Sequence, residues 1–189
     1  MIKVSKKARA TRQLTGMWDE DNRPQTVEEM VLPSRIKNIF KDVHKTGIEQ
    51  NYLFYGSAGI GKTTLAKIIQ KHYSLPEELD CSTDGGKAAF SNVFENFANL
   101  ATFNHKQKKF VLLEEVDGLS LSANKSAKKQ LENSYATARV VATTNNPSGL
   151  LDATLSRFVP ISFDLTKSDL DECLLQIRAL LKRICGKYG

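Results

Sequence analysis

The chain contains 189 residues and has a formal net charge of +6; 41% of its residues are hydrophobic and 25% are charged. This length allows one well-packed domain with little left over, and the composition is ordinary for a soluble globular protein. No apolar run approaches the length of a membrane span and no signal-peptide pattern opens the chain, which argues against a membrane protein. The three cysteines, Cys81, Cys173 and Cys185, form no C-x-x-C pair. They favour reduced thiols in a cytosol-like compartment over a disulfide framework or a zinc site.

The excess positive charge is concentrated at the N-terminus. Residues 1–17 carry five basic side chains and no acidic one, whereas the rest of the chain is nearly balanced. We interpret residues 1–17 as a basic N-terminal arm. Two interpretations of this arm stay open: it contacts nucleic-acid phosphates, or it is a solvated tail.

The hydrophobic pattern after the arm predicts helices that alternate with strands. Pro24 and Pro33 rule out one continuous helix in the segment that contains them. The apolar spacing predicts helices over residues 34–44, 62–72, 87–102, 123–136 and 149–155. Short apolar runs predict strands over residues 52–55, 110–113, 139–143 and 159–163, with a weaker candidate over 79–83. This alternation indicates an α/β fold in which helices flank both faces of a five-stranded parallel sheet.

The segment from Gly56 to Thr64 is the most informative motif in the chain. It fits the phosphate-loop pattern G-x-x-x-x-G-K-[ST] without a mismatch. Glycines let backbone N–H groups turn towards phosphate oxygens, Lys62 would reach the β- and γ-phosphates of ATP, and the Thr63 hydroxyl would bind Mg²⁺. A structural glycine turn is the alternative. The motif predicts a nucleotide site that contains Gly56, Ser57, Ala58, Gly59, Ile60, Gly61, Lys62, Thr63 and Thr64.

Polar side chains end the two long strands predicted after this loop. A phosphate loop needs an acid at the end of a buried parallel strand to hold Mg²⁺. Glu114 is the predicted metal ligand, and Glu115 is placed to polarise a water for attack on the γ-phosphate. Asn145, at the end of the next strand, is predicted to hydrogen-bond that water or the γ-phosphate. Ordinary polar turns at the ends of both strands are the alternative.

Arg157 follows the short helix predicted over residues 149–155 and precedes the last predicted strand. An arginine in this position can neutralise phosphate charge in its own site or in the site of a neighbouring subunit. An ordinary solvated arginine is the alternative interpretation.

The order of these motifs resembles that of an AAA+ ATPase. The Arg-Pro opening within residues 18–33 and the Ser156-Arg157 pair narrow the resemblance to the ATPase subunits of DNA sliding-clamp loaders, particularly the large subunit in tailed phages. The resemblance implies a P-loop NTPase fold of the AAA+ type that uses ATP and Mg²⁺. It also implies that Asn145 is the sensor 1 asparagine and that Arg157 is the arginine finger. The implied adenine and ribose pocket is bordered by Asp19, Glu20, Asp21, Asn22, Arg23, Pro24 and Val31.

The resemblance also implies a domain organisation. Residues 18–164 correspond to the ATPase core, and residues 165–189 to the first helix of a helical lid. This helix is predicted from Thr166 to about Ile184, and its wide apolar stripe must lie on the core, on a partner or on residues outside this chain. Because the remainder of the lid is absent from the sequence, we interpret the chain as a C-terminally truncated member of the family or as the product of a split gene.

Three positions depart from the family pattern. Glu114 stands where the family usually has an aspartate, Phe158 follows Ser-Arg in place of a cysteine, and Asn22 precedes Arg-Pro in place of an aromatic or aliphatic residue. We expect the longer Glu114 side chain to alter the geometry of Mg²⁺ and to slow turnover.

The resemblance implies an ATP-hydrolysing subunit that assembles with other clamp-loader subunits in a ring or spiral and loads a sliding clamp on primer–template DNA. It implies a cytoplasmic protein, in the host cytoplasm if a phage encodes it. Candidate DNA or subunit contacts, for which plain exposed lysines are the alternative, are Lys87, Lys125, Lys128 and Lys129. Two other functions stay open: another AAA+ DNA-remodelling factor such as a helicase loader, and a nucleotide-binding assembly protein with negligible hydrolysis.

Overall fold

The computed structural model describes residues 22–73, 76–99 and 109–188. The predicted arm over residues 1–17 lies outside these ranges, and so do the predicted pocket residues Asp19, Glu20 and Asp21. Within the described ranges, helices and strands alternate along the chain as the hydrophobic pattern predicts.

One parallel sheet and the helices that connect its strands form the described fold. The strands are β1 (Tyr52–Tyr55), β2 (Pro76–Asp80), β3 (Lys109–Glu114), β4 (Ala138–Thr144) and β5 (Val159–Ser162). The helices are α1 (Ser34–Phe40), α2 (Val43–Thr46), α3 (Lys62–Gln70), α4 (Cys81–Asp84), α5 (Lys87–Asn99), α6 (Leu121–Ser134), α7 (Asp152–Leu155) and α8 (Lys167–Tyr188). Two short 3₁₀ helices, Val116–Gly118 and Pro147–Gly149, follow β3 and β4.

All five strands run parallel, in the order β2-β3-β4-β1-β5. Strand β1 lies between β4 and β5 and pairs with both, so that Tyr55 lies opposite both Thr144 and Ser162. Because all five strands run in the same direction, their carboxyl ends all lie at one edge of the sheet. The topology confirms the predicted five-stranded parallel sheet and places the loop after β1 at the same edge of the sheet as the ends of β3 and β4.

The sheet is buried on both faces, as predicted. Successive residues of β3 alternate between two apolar clusters: Phe110 and Leu112 pack with side chains of α1 and α3, whereas Val111 and Leu113 pack with those of α5 and α6. Every residue of β4 is buried. Burial on both faces explains why these strands read as continuous apolar runs, not as alternating ones.

The single helix predicted over residues 34–44 is wrong, because the structure divides it into α1 and α2. Asp42 interrupts the helix at φ −103° and ψ 10°, and its carboxylate accepts a hydrogen bond from Lys45 at 2.8 Å. An aspartate competes with the helical backbone for hydrogen bonds, which favours a turn at this position.

The weak strand predicted over residues 79–83 is shifted in the structure, where β2 ends at Asp80. The Asp80 side chain accepts the Ser82 N–H at 2.9 Å and so acts as the N-cap of α4. This capping bond turns Cys81 into the first residue of a helix instead of the middle of a strand.

The last helix, α8, contacts the core through polar groups and through one buried residue of its apolar stripe. Glu172 accepts the N–H of Ser34 at 2.9 Å, and Gln176 exchanges hydrogen bonds with the backbone of Leu32. Cys173 of the predicted apolar stripe is buried, whereas other members are exposed, namely Leu170, Leu174, Ile177 and Leu181. The stripe was predicted to lie on the core, on a partner or on residues outside this chain. These four side chains do not pack on the described core. With 22 residues α8 is the longest described helix, yet neither it nor any other described helix is long and apolar enough to cross a membrane.

Candidate nucleotide-binding site

The carboxyl edge of the sheet carries a cavity of about 230 Å³. The loop between β1 and α3 forms one wall, and residues that end or follow β3 and β4 form the other. Its lining residues are Ala58, Gly59, Gly61, Lys62, Thr63, Thr64, Glu115, Thr143, Thr144 and Asn145. The structure thus brings together the loop and both strand ends that the sequence singled out.

The backbone of the phosphate loop requires its glycines. Gly56, Gly59 and Gly61 adopt φ values of 136°, 77° and 97°, a region that side chains disfavour. At Gly56 the constraint is also steric, because an added Cβ would lie 2.9 Å from the Asp164 carboxylate. Gly61 is the N-cap of α3, so the unpaired N–H groups of the first helical turn lie at this loop, where an anion is favoured.

Lys62 is the buried cation of the cavity. Only 7% of the residue is exposed, and its ammonium group donates to three oxygens: Gly56 O at 2.8 Å, Ser57 O at 2.7 Å and Asn145 Oδ1 at 2.8 Å. Burial lowers the pKa of Lys62, although Asp164 opposes this effect. The contact with Asn145 joins the loop to the end of β4, so the two predicted residues meet directly.

Glu115 lies at the opposite wall in an unusual backbone conformation. Its φ of 51° makes it a non-glycine residue in the left-handed region, and its side chain is exposed at the cavity. The Glu115 N–H donates to the hydroxyl of Thr143, a buried residue of β4, at 3.2 Å. Strained conformations of this kind persist where surrounding contacts hold them, and they cluster at functional sites.

Glu114 occupies a different environment from its neighbour. Its side chain is 16% exposed, and Lys67 of α3 lies 3.4 Å from its Oε1 atom. This oxygen is buried and has no partner with hydrogen-bond geometry within the described ranges. Burial raises the pKa of Glu114, while Lys67 opposes the shift.

The residues present fit a Mg²⁺ ion, although no ready-made cluster holds one. The described residues contain no group of three or more His, Cys, Asp and Glu side chains able to bind a metal. The Thr63 hydroxyl at the cavity wall and the Glu114 carboxylate, whose buried Oε1 atom is ion-paired with Lys67 but makes no hydrogen bond, are the hard oxygen donors that Mg²⁺ prefers when ATP phosphates and waters supply the other ligands.

Sequence reasoning missed a hydrogen-bonded junction behind the cavity. The Thr144 hydroxyl donates to Asp117 at 2.7 Å and accepts the N–H of Asn146 at 3.0 Å. The junction ties the turn after Glu115 to the turn after β4. Two consecutive threonines at the end of a buried strand are the signal that points to it, since their hydroxyls need partners there.

Arg157 is not part of this cavity. It follows α7, and its guanidinium group forms an ion pair with Glu132 of α6. Together with Glu132 it lines a separate groove of about 470 Å³, whose other residues are Gln50, Asn51, Leu131, Tyr135, Ser156, Phe158 and Val159. Within the described chain, the structure therefore does not bring Arg157 to Lys62.

The described part of the predicted adenine segment packs beside the phosphate loop. Val27, Met30 and Leu32 are buried in the cluster that includes α3, and the Met30 methyl group would lie 3.2 Å from a Cβ at Gly61. Val31 is half-buried between them. Roles at the adenine for Asn22, Arg23, Pro24 and Val31 stay predictions.

The four lysines predicted to contact DNA or a neighbouring subunit are all exposed on helices: Lys87, Lys125, Lys128 and Lys129. Exposure permits both the predicted contact and a plain solvated surface. Their role therefore stays a prediction.

The model of the ATPase family associated with various cellular activities (AAA) matches residues 52–164, which is more than half of the chain. The matched region begins at β1 and ends just after β5, so it contains the phosphate loop, both strand ends and Arg157.

Curated relatives include a replication factor C subunit and a sliding-clamp-loader subunit. The chain is 28% identical over 153 residues to replication factor C small subunit 2 of Pyrobaculum islandicum, covering 78% of this chain and 48% of the relative. It is 28% identical over 178 residues to the sliding-clamp-loader large subunit of Enterobacteria phage T4, covering 90% of this chain and 54% of the relative. The chain thus spans about half the length of the curated relatives it matches.

Solved structures share the fold. The Thermotoga maritima RuvB Holliday junction branch migration motor matches with a TM-score of 0.57 and 17% identity, covering 85% of this chain and 55% of that chain. At this identity the match supports the fold alone.

Proposed function

Because the chain belongs to the AAA family of ATPases, we propose that it is an ATP-binding and ATP-hydrolysing subunit of a DNA sliding-clamp loader. One observation carries the proposal: Lys62, Glu115 and Asn145, separated in sequence, line one cavity beside a glycine-rich loop. The similarity to clamp-loader and replication factor C subunits supports the choice among AAA functions.

The phosphate loop binds the triphosphate of ATP in this proposal. Backbone N–H groups at the start of α3 contact phosphate oxygens, and Lys62 exchanges its bonds to Gly56 O and Ser57 O for bonds to the β- and γ-phosphates. The carbonyl partners hold the ammonium group at the loop before ATP arrives. Little reorganisation is then needed on binding.

Thr63 and Glu114 would hold Mg²⁺, which when bound neutralises charge on the phosphate oxygens. Glu115 accepts a proton from the attacking water, and its exposed carboxylate at the cavity wall suits this role. Asn145, released from Lys62 as the lysine turns to phosphate, hydrogen-bonds the water or the γ-phosphate.

Arg157 acts in the site of a neighbouring subunit. It lies in its own groove, apart from the Lys62 cavity of the same chain, where one acidic side chain holds it. When a second subunit presents its bound ATP to this groove, the guanidinium group neutralises phosphate charge in the transition state. Hydrolysis then depends on assembly, as it must if ATP controls when a clamp is released on primer–template DNA.

A second function has one observation in its favour. The Glu114 carboxylate is paired with Lys67 and not presented at the cavity. If this pair persists with ATP bound, Mg²⁺ is poorly held, and the chain is a nucleotide-binding assembly protein with negligible turnover.

Steady-state ATPase activity tests the proposal. The chain is measured alone, with primer–template DNA, with a sliding clamp and with both. We expect the largest stimulation with both, and its loss in Lys62→Ala and Glu115→Gln but not in Glu95→Gln, an exposed glutamate on α5. ATP binding is measured in parallel and should be retained in Glu115→Gln.

The outcomes separate the candidate functions. Stimulation by DNA without any effect of the clamp would favour a different DNA-remodelling factor. Tight ATP binding with turnover equal to that of Glu115→Gln would favour the assembly protein. If the unmodified chain does not bind ATP, that result would contradict a nucleotide site altogether.

A further inference from the structure

The exposed part of the apolar stripe on α8 has the spacing of a surface that pairs with a second helix. Its members recur at alternating intervals of four and three residues, and we call them the seam: Leu170, Leu174, Ile177, Leu181 and Ile184. Such intervals place apolar side chains along one line of a helix, where they interlock with those of a partner helix. The first four members are 38% to 52% exposed. The described chain therefore leaves most of the seam uncovered.

The core holds α8 by a different face of the helix. Glu172 and Gln176 form hydrogen bonds with Ser34 and Leu32, and Cys173 between them is buried. With 3.6 residues per turn, the centre of this face lies about 110° around the helix from the centre of the seam. A second helix can thus lie on the seam while α8 keeps its bonds to the core.

The charged side chains divide α8 into an acidic and a basic half. The acids within residues 168–176, where no basic side chain occurs, are Asp169, Asp171 and Glu172. The basic side chains within residues 177–186, where no acid occurs, are Arg178, Lys182 and Arg183. Two parallel copies of α8 would set like charges side by side, whereas an antiparallel pair sets each acidic half beside the basic half of the other copy. The charge pattern of α8 is therefore complementary to that of a second α8.

We propose that the seam is a self-association surface, on which two copies of this chain pair through α8 as an antiparallel helix dimer. Leu174 of one copy packs on Ile177 of the other, and Leu170 packs on Leu181, so that the four exposed members of the seam are covered. This contact is two-fold symmetric and closes on itself, so association stops at two copies. The dimer is independent of the proposed ATP site, because α8 contributes no residue to the lining of that cavity.

The association state of the chain in solution tests the pairing. Sedimentation velocity over a concentration series should show a reversible monomer–dimer equilibrium. We expect Leu174→Ala to raise the Kd of the dimer by about 100-fold, because each dimer loses two buried leucine side chains. Leu175→Ala is the matched control, since it removes a leucine of the same helix that is 67% exposed and lies outside the seam. Its Kd should equal that of the unmodified chain.

The orientation of the two helices is measured with a single spin label. Cys185 is exposed on α8 and takes the label, while Cys81 and Cys173 are buried. In the proposed register the two copies of Cys185 lie on opposite sides of the dimer centre, and a rise of 1.5 Å per residue separates the labels by roughly 30 Å. A parallel pair would bring them to roughly 10 Å, the distance between two packed helices.

Charge reversal provides a readout that a non-specific apolar contact would not alter. In the antiparallel pair Asp171 lies beside the half of the other helix that carries Lys182. Asp171→Lys and Lys182→Asp, each tested alone, should raise the Kd of the dimer about fivefold at low salt, and less as salt screens the repulsion. A mixture of the two variants should dimerise as well as the unmodified chain, because opposite charges face each other again in the mixed pair.

Several results would overturn the pairing. A chain that stays monomeric over the whole concentration series contradicts it, and if added clamp-loader subunits then cover the seam, the partner is a different protein. Equal weakening by Leu174→Ala and Leu175→Ala, a label distance near 10 Å, or no recovery in the mixture of charge variants contradicts it as well. ATP binding is measured in parallel, and failure of the dimer with ATP binding retained leaves the proposed function intact.

Discussion

Lys62 and Arg157 line two separate cavities of the described chain, and their charged groups have different hydrogen-bonding environments. Lys62 is almost fully buried and donates to three oxygens of its own chain. The Arg157 side chain is 33% exposed and pairs with one acid, Glu132, while its Nε is buried without a hydrogen-bond partner in the described ranges. The hydrogen-bond donors of Lys62 are therefore paired with oxygens of its own chain, whereas those of Arg157 are paired only in part.

This difference indicates where each cation does its work. Backbone carbonyls hold the Lys62 ammonium group at the loop, so a phosphate can replace them without a conformational search. An arginine has five N–H donors in a planar fork, and a single acid leaves several of them for an anion that arrives from outside. We therefore expect Lys62 to act in its own chain and Arg157 to act on a neighbour.

Arg157→Ala tests this division with the largest expected effect. The isolated chain should bind ATP with unchanged affinity, whereas the ATPase rate of the assembled loader should fall by about 1,000-fold, because an arginine that neutralises transition-state charge contributes on this scale. The rate is measured on assembled subunits with DNA and clamp, and the affinity on the isolated chain. Arg178→Ala, an exposed arginine of α8, is the matched control. Loss of ATP affinity in the isolated Arg157 variant would show that both cations serve one site.

Lys62→Ala should have the opposite profile. The Kd for ATP in the isolated chain should rise by about 100-fold or more, because two charge-assisted hydrogen bonds to phosphate are lost. Titration calorimetry measures this directly. Lys71→Ala, which removes an exposed lysine just beyond α3, should bind ATP normally. A threefold effect or less in Lys62→Ala would mean that the loop does not bind phosphate through this residue.

Thr143→Val sharpens the comparison within the Lys62 cavity. The valine keeps the shape of the side chain but removes the acceptor for the Glu115 N–H. Loss of one such bond is worth about 1 kcal/mol, so kcat should fall roughly five- to tenfold while the Kd for ATP stays the same. Single-turnover hydrolysis measures the rate of the chemical step separately from the Kd for ATP. Thr137→Val, which replaces an exposed threonine, serves as the control. Equal losses in binding and rate would assign Thr143 to general stability of the cavity.

The loop and the strand ends are predictable from sequence because their signals are local. The spacing of Gly56, Gly61 and Lys62 specifies a loop whose backbone needs positive φ at its glycines, and the structure has these values at Gly56 and Gly61. The apolar run before Glu114 predicts a buried strand over 110–113, and β3 differs from it by one residue at each end.

The partners of the charged groups are not predictable in this way, because they depend on how distant segments pack. Lys67 pairs with Glu114 only because α3 covers the face of the sheet to which alternate residues of β3 contribute. Ser57 and Asp164 meet because β5 lies next to β1, a neighbour relation set by the strand order. No local pattern encodes either contact.

Asp169→Asn should have the smallest effect, and it should alter the role of neither Lys62 nor Arg157. Bonds from the Thr166 backbone, and to a lesser degree Arg35, hold the pKa of Asp169 below its ordinary value. A carboxyl with a lowered folded-state pKa adds stability at pH values above the ordinary aspartate pKa of about 3.9, and this contribution is lost as the pH falls through the folded value. The variant should therefore unfold more easily than the unmodified chain at pH 7, and the gap should close as the pH drops below about 4. Urea denaturation across this range measures the gap, and a gap that stays constant would mean that Asp169 stabilises α8 without its charge.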